Sequence, residues 1–144
     1  MRRRLVIIAL LLFVQLGSSS WPKNAADTSN RKYSVYTEIG KVPDKARARQ
    51  NPFENDPEAI AAGGNLYEQH CAHCHGSKAE GSKRGPSLLV SDVQSAQPGA
   101  IFWILTNGVV RRGMPVWSKL PEPQRWQLVS FLKSLKRPSP APVE

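Results

Sequence analysis

Sulfur is scarce in this chain of 144 residues: two cysteines and two methionines in all. Two thiols cannot build the multi-disulfide framework that staples many small exported domains, so another staple is required. Acidic side chains are few as well. Eleven Asp and Glu stand against twenty Lys and Arg, for a formal charge of +9, which favours attraction to an acidic surface. No stretch alternates apolar and polar residues convincingly, so an all-β architecture has no support. No internal repeat is present, which excludes solenoids and propellers. No apolar run approaches the roughly 20 residues that a membrane-spanning helix needs; Leu5 to Leu16 covers twelve. No recognised nucleic-acid-binding motif accompanies the positive charge, so nucleic acid is not an expected partner.

The N-terminus has the layout of a secretory signal. Met1-Arg2-Arg3-Arg4 is the charged region, Leu5 to Leu16 the apolar one, and Gly17-Ser18-Ser19-Ser20 the small-residue region. Residues 1–20 are therefore expected to be removed, with Ala26 as the alternative cleavage point and retention as an uncleaved anchor as the competing outcome. A lipid anchor lacks its attachment atom, because no cysteine lies near the cleavage region. Arg2, Arg3 and Arg4 supply three of the nine positive charges, so the exported form carries +6. It is expected in a bacterial periplasm, with no membrane span after signal removal.

Both cysteines fall in Cys71-Ala72-His73-Cys74-His75, the C-x-x-C-H pattern of covalent haem attachment. Each thiol can add to one vinyl group of a single macrocycle while the adjacent His75 coordinates the iron. A tetrahedral zinc site is disfavoured, because Cys71, Cys74 and His75 with His70 or His73 crowd all ligands into six residues where structural sites use separated pairs. A thioredoxin-type C-x-x-C calls for a βαβ setting and a thiolate at a helix N-terminus. Here the motif follows a helix-like segment.

Iron held by His75 has a second face. Met1 leaves with the leader, so Met114 is the one thioether of the exported chain. It lies 39 residues beyond His75 in Arg112-Gly113-Met114-Pro115, where glycine permits close approach to the haem and proline fixes the turn. His73 lies within the attachment loop, and His70 is expected on the proximal side. Met114 is therefore the expected distal ligand. A His/Met iron is six-coordinate with a raised potential, which suits electron transfer rather than peroxidase or gas-binding chemistry.

Residues 21–55 read as a polar extension, punctuated by Pro22, Pro43 and Pro52, that drapes over the domain through Tyr33, Tyr36 and Phe53. The folded unit is expected at 56–137 and a Pro-rich tail at 138–144. Asp56, Pro57 and Glu58 form a helix start, followed by Ile60, Gly63 or Gly64, Tyr67 and Cys71 near one face. Glycines inside a helix cost about 1 kcal/mol each relative to alanine, a loss that close approach of a second helix can offset. The expected partner runs from Glu122 to about Lys136 with Leu128, Phe131, Leu132 and Leu135 on its apolar face, edged by Trp126 and Val129. A shorter helix is expected at about Gly99 to Thr106, stopped by Asn107-Gly108. Trp103, Trp117, Leu88 and Val116 are expected to line the haem pocket.

The ordered set Gly63, Tyr67, His75, Pro86, Met114 and Phe131 resembles that of class I monohaem c-type cytochromes over about 80 residues. The resemblance implies an all-α cytochrome c fold of three to five helices around one covalent haem c. It also implies a contact of Leu128 and Phe131 with the N-terminal helix. Within Gly85-Pro86-Ser87-Leu88 it implies that the Pro86 carbonyl accepts the Nδ1–H of His75. The sequence departs from the family in its long extension and in Pro121, where a polar N-cap is usual. The segment from Gly113 to Trp117, followed by a Trp126-led helix, is similar to small cytochromes that serve periplasmic dehydrogenases.

The cofactor-binding residues expected are thus Cys71, Cys74, His75, Met114 and Pro86, with His75 and Met114 as proximal and distal iron ligands. No acid–base or nucleophilic catalytic group is visible, and the chain reads as a non-enzyme. The leading expectation is a periplasmic electron shuttle whose partners are redox proteins with an acidic docking surface. Lys78, Lys83, Arg84, Arg111, Arg112 and Lys119 are expected around the haem crevice, with Arg111 or Arg112 alternatively pairing a propionate. A tightly bound haem subunit of a periplasmic dehydrogenase is the alternative, and an open-haem enzyme or sensor a third.

Overall fold

Proline and an aspartate cap explain where the main helices begin in the computed structural model, which describes residues 36–135. The expectations for residues 1–35 and 136–144, including the signal, Tyr33 and the Pro-rich tail, lie outside the described residues. A helical stretch at 36–40 leads into α1 (Asp44–Arg47). The long helix α2 (Pro57–His70) starts at Asp56, whose carboxylate accepts from the N–H groups of Glu58 at 2.9 Å and Ala59 at 3.3 Å. This satisfies two of the backbone donors orphaned at a helix start, and Pro57 at the first helical position needs no such partner.

After the single residue Cys71 the chain forms α3 (Ala72–His75). A single-turn α4 (Ser91–Gln94) precedes α5 (Pro98–Asn107), which ends at Gly108 with φ 65°. The last described helix, α6 (Glu122–Ser134), stops two residues short of the expected Lys136. Its N-cap is Pro121, which contributes no side-chain hydrogen bond. Among the described residues no β-strand is formed; an isolated antiparallel bridge joins Val109 to Met114. No described helix is long and apolar enough to cross a membrane.

The core rests on the crossing of α2 and α6. At Gly63 an added Cβ would overlap the Gln127 carbonyl and lie 2.9 Å from Cβ of Phe131, so the two backbones can meet only where this side chain is missing. Tyr67 then packs on Phe131 with ring centroids 5.2 Å apart, and Leu128 and Val129 are buried beneath them. The third long helix, α5, adds Ile101, Phe102 and Leu105 to the same core. Phe102 stacks on Trp126 at 4.1 Å.

Residues 42–53 are tied to this core by polar contacts. Asn51 is buried and donates to Ser130 Oγ at 2.9 Å, and the Ser130 hydroxyl donates to the Phe53 carbonyl at 2.8 Å. The Arg49 guanidinium lies over the rings of Phe102, at 4.5 Å, and Trp126, at 5.3 Å, and pairs with Glu122 at 2.5 Å. Tyr36 and Phe53 are part-buried against the core, so the segment drapes over the helices at the two aromatics that are described.

Candidate functional site

The N–H groups of Cys74 and His75 both donate to the Cys71 carbonyl, at 3.0 and 2.9 Å, and winding this segment as α3 sets its side chains at helical spacing. Cys71, Cys74 and His75, at i, i+3 and i+4, therefore share one face. That face opens on a cavity of about 310 Å³. Neither thiol is in a disulfide.

A loop fastened under the turn supports the imidazole. Gly81 N–H donates to the His75 carbonyl at 2.7 Å, the Ser82 hydroxyl to the Cys74 carbonyl at 2.5 Å, and Ser82 N–H to the Gly85 carbonyl at 2.8 Å. Gly85 lies so near that an added Cβ would be 2.9 Å from the Cys74 oxygen and 3.2 Å from Cε1 of His75. The neighbouring Pro86 carbonyl is 2.8 Å from Nδ1 of His75. With Nδ1 donating there, Nε2 carries the free lone pair that a metal would use. The Tyr67 hydroxyl donates to the Gly76 carbonyl at 2.6 Å, pinning the other side of the turn. Burial, then the neighbouring Cys71, holds the Tyr67 phenol well above its usual pKa.

Met114 sits on the same cavity, carried by a hairpin. Val109 N–H donates to the Met114 carbonyl at 3.0 Å and Met114 N–H returns to the Val109 carbonyl at 3.3 Å. Between them Val110–Arg112 forms a 3₁₀ turn closed by Gly113 in the left-handed region, φ 87° and ψ 0°. No protein atom would lie within 4 Å of a Cβ there, so the backbone angle alone accounts for glycine. Trp117 N–H ties the end of the segment to the Leu105 carbonyl at 3.0 Å.

The structure thus brings Cys71, Cys74, His75, Pro86 and Met114 to one cavity, together with Leu88 and Trp117. Trp103 and Val116 do not line it, contrary to the sequence expectation. On α5 the cavity takes Ile101, Ile104 and Leu105; Trp103 is two residues from Ile101, about 200° round the helix. Val116 follows Pro115 and is turned outward, 47% exposed. His70 also lines the cavity and packs against Trp117, ring centroids 5.2 Å apart, a contact with the segment after Met114 that the sequence did not suggest. Tyr36, Glu38 and Ile39 complete the lining from the extension. A Tyr-x-x-Ile spacing ahead of Val42 was the available signal for their inward face.

Of the basic residues, Arg84 and Arg112 line the cavity, while Lys78, Lys83 and Lys119 are exposed. Arg84 contacts the His73 imidazole. Arg111 pairs with Glu38.

These features fit a haem. The cavity wall is largely apolar, as a porphyrin face requires, and thiols, an imidazole and a thioether supply the attachment and ligation chemistry. They do not fit a thioredoxin-type site: burial, with Cys74 adding to it, pushes the Cys71 thiol up to about 11, whereas a reactive C-x-x-C thiolate needs the opposite shift. Among the described residues no group of three or more His, Cys, Asp or Glu is arranged to hold a bare metal ion.

Comparison with known proteins points the same way. The family described as cytochrome C oxidase, cbb3-type, subunit III matches residues 58–132, about half of the chain. The cbb3-type cytochrome c oxidase subunit CcoP of Rubrivivax gelatinosus is 37% identical over 126 residues, 82% of this chain. The chain spans only 40% of the length of that protein. Cytochrome c550 of Pseudomonas aeruginosa is 23% identical over 141 residues, 94% of this chain and 97% of that one. The crystal structure of cytochrome CL from the marine methylotroph Methylophaga aminisulfidivorans shares the fold, with a TM-score of 0.55 at 21% identity over 87% of this chain and 74% of that chain.

Proposed function

The chain belongs to the c-type cytochromes, in the cbb3-type subunit III family matched over residues 58–132, and from that premise we propose that it is a periplasmic electron carrier in which His75 and Met114 would ligate the haem iron. Its cofactor is one covalently attached haem c. The observation that carries the reading is the meeting of Cys71, Cys74, His75 and Met114 on one largely apolar cavity.

Bound there, the haem supplies one-electron Fe(III)/Fe(II) chemistry. Cys71 and Cys74 would hold it by thioethers, a covalent link that would replace the disulfide this chain cannot spare. Pro86 holds the His75 ring by its Nδ1–H, fixing the tautomer and raising the basicity of Nε2. Met114, on a turn closed by its paired backbone bonds with Val109, would offer a soft thioether that favours the reduced state. Leu105, Trp117 and Leu132 line the cavity with apolar surface that would shield the haem from water. Arg84 and Arg112 at its wall, with exposed Lys83 and Lys119, supply positive charge for docking an acidic redox partner.

Purification of the mature protein from cells competent in haem attachment tests this. Mass analysis is expected to show the polypeptide plus one haem, and the reduced protein a low-spin haem c spectrum. A polypeptide without added haem overturns the reading.

The likeness to CcoP, an oxidase subunit much longer than this chain, favours a second reading, a haem module held permanently in a larger redox complex. Gel filtration of native extract separates the two: a shuttle elutes near its own mass, a subunit within an assembly.

A further inference from the structure

We propose that residues 36–42 form a strap that clamps both ligand-bearing walls of the cavity, with Glu38 a positioning residue that holds the Met114 hairpin through Arg111. This rests on the electron-carrier reading and adds a control element to it.

Three observations carry the proposal. First, the strap reaches each wall by a side chain that also lines the cavity. The Tyr36 hydroxyl donates to the Ser87 carbonyl at 2.8 Å, one residue beyond the Pro86 carbonyl that orients His75. The Glu38 carboxylate pairs with Arg111, in the 3₁₀ turn of the Met114 hairpin. These two ties, two residues apart on the strap, span segments that are otherwise far apart in sequence.

Second, the strap is anchored behind those ties. Nη2 of Arg47 donates to the carbonyls of Ile39 at 3.3 Å, Gly40 at 3.3 Å and Val42 at 3.0 Å, gathering the strap's exit onto one guanidinium. Val42 is buried. Behind it α1 lies against α5, where the Arg47 carbonyl would be 2.6 Å from a Cβ added at Gly99. A pull on Glu38 is therefore resisted by the core.

Third, the tip of the hairpin is lightly packed. Val110 is 69% exposed, and Gly113 has open space where a side chain would be. A turn so lightly packed opens readily unless something outside it holds it, and Glu38, whose side chain is only 16% exposed, is placed to do so. Lys41 shares the same Glu38 oxygen at 3.1 Å but reaches neither wall, and so provides the control.

The test uses holoprotein and two readouts. One is the rate at which imidazole binds the ferric protein, which requires the Met114 side to open. The other is hydrogen exchange at the amides of Val109 and Met114. Glu38→Ala and Arg111→Ala are each expected to raise both rates about threefold to fivefold, as for a partly exposed ion pair. The double variant should exceed neither single, since both remove one interaction. Lys41→Ala should change either rate less than about 1.5-fold, because it leaves the clamp in place.

Rates in Glu38→Ala and Arg111→Ala that match Lys41→Ala, or that multiply in the double variant, overturn the clamp. Arg111 is exposed and Arg111→Ala is expected to fold, so the pair is read even if Glu38→Ala is unstable. Holoprotein that exchanges no electrons with redox partners overturns the carrier reading alone, because imidazole binding and amide exchange in that same holoprotein still read the hairpin.

Discussion

Gly63 lies against the backbone carbonyl of Gln127 so closely that no Cβ fits between them. The crossing of α2 and α6 is set by that contact, and Tyr67 and Phe131 pack one turn further along. Gly63→Ala gains helix propensity of about 1 kcal/mol, but it drives a methyl into backbone that cannot rotate away. A net loss of about 1–3 kcal/mol is expected from overpacking, read as a lower urea midpoint. Gly64 makes the comparison: its nearest neighbour to an added Cβ is the Phe131 ring at 3.3 Å, which can tilt. Gly64→Ala should therefore fall within about 1 kcal/mol of wild type.

Asn51 and Ser130 join the extension to α6 in a buried polar unit in which Asn51 Oδ1 also accepts from Phe53 N–H at 3.0 Å. Ser130→Ala leaves the Asn51 amide and the Phe53 carbonyl without that hydroxyl. The expected cost is about 1–3 kcal/mol, by chemical denaturation. Asn51→Ala with Ser130→Ala should cost clearly less than the two singles added. Additive losses would mean that the two side chains act separately.

How far these elements were legible depends on the kind of signal each carries. The α2 start was legible because Asp56-Pro57-Glu58 is local chemistry, and the haem motif because its spacing is covalent chemistry. The helix crossing was legible at Gly63, where a costly residue needs a reason. The α5 lining was misread at Trp103 because a large aromatic draws attention regardless of its angle round the helix, while Ile101 and Leu105 face the cavity. The strap was harder still. Its ties are a phenol to a carbonyl, a carboxylate to an arginine and a guanidinium to three carbonyls, none of which leaves a period in sequence. Arg49 looks like part of a solvated basic run until Phe102 and Trp126 are placed beneath it.

Acid should loosen the contact between that run and α6. The Glu122 carboxyl is held below its ordinary value of 4.5, first by its hydrogen bond to Arg49 and then by Trp126 Nε1. A group whose folded pKa is depressed binds protons more readily when unfolded, so its contribution is full above pH 4.5 and is lost as pH falls toward the folded value. Glu122→Gln should therefore show a shallower fall of stability with acid below pH 4.5, and salt should weaken the wild-type effect because the pair is exposed. Identical acid limbs for the two proteins would contradict it.

Met114→Ala should leave the covalent link intact, since Cys71 and Cys74 are untouched, while removing the thioether from the cavity. The variant is expected to keep its haem mass, lose the weak long-wavelength band of a thioether-ligated ferric haem, and bind carbon monoxide when reduced. Its reduction potential should fall, because a soft sulfur ligand favours Fe(II). A wild-type protein that lacks this band, with a potential unchanged in the variant, would place another ligand on the iron, and His70, against Trp117 on the same cavity, would be the next to substitute.

Docking should be steered by charge and completed by carbon. Arg84 lines the cavity beside exposed Lys83, whereas Arg111 is engaged by Glu38. The outward-facing Val110 and Val116 add apolar surface on the Met114 segment. Long-range steering acts on the association rate and is screened by salt, while apolar contact acts after encounter. Lys83→Glu with Arg84→Glu should therefore slow reduction by an acidic partner about tenfold at low salt, and flatten the dependence on ionic strength. Val116→Asp, by contrast, should raise dissociation with the salt slope kept negative. Charge reversal that leaves both the rate and its slope unchanged would show that this face does not meet the partner.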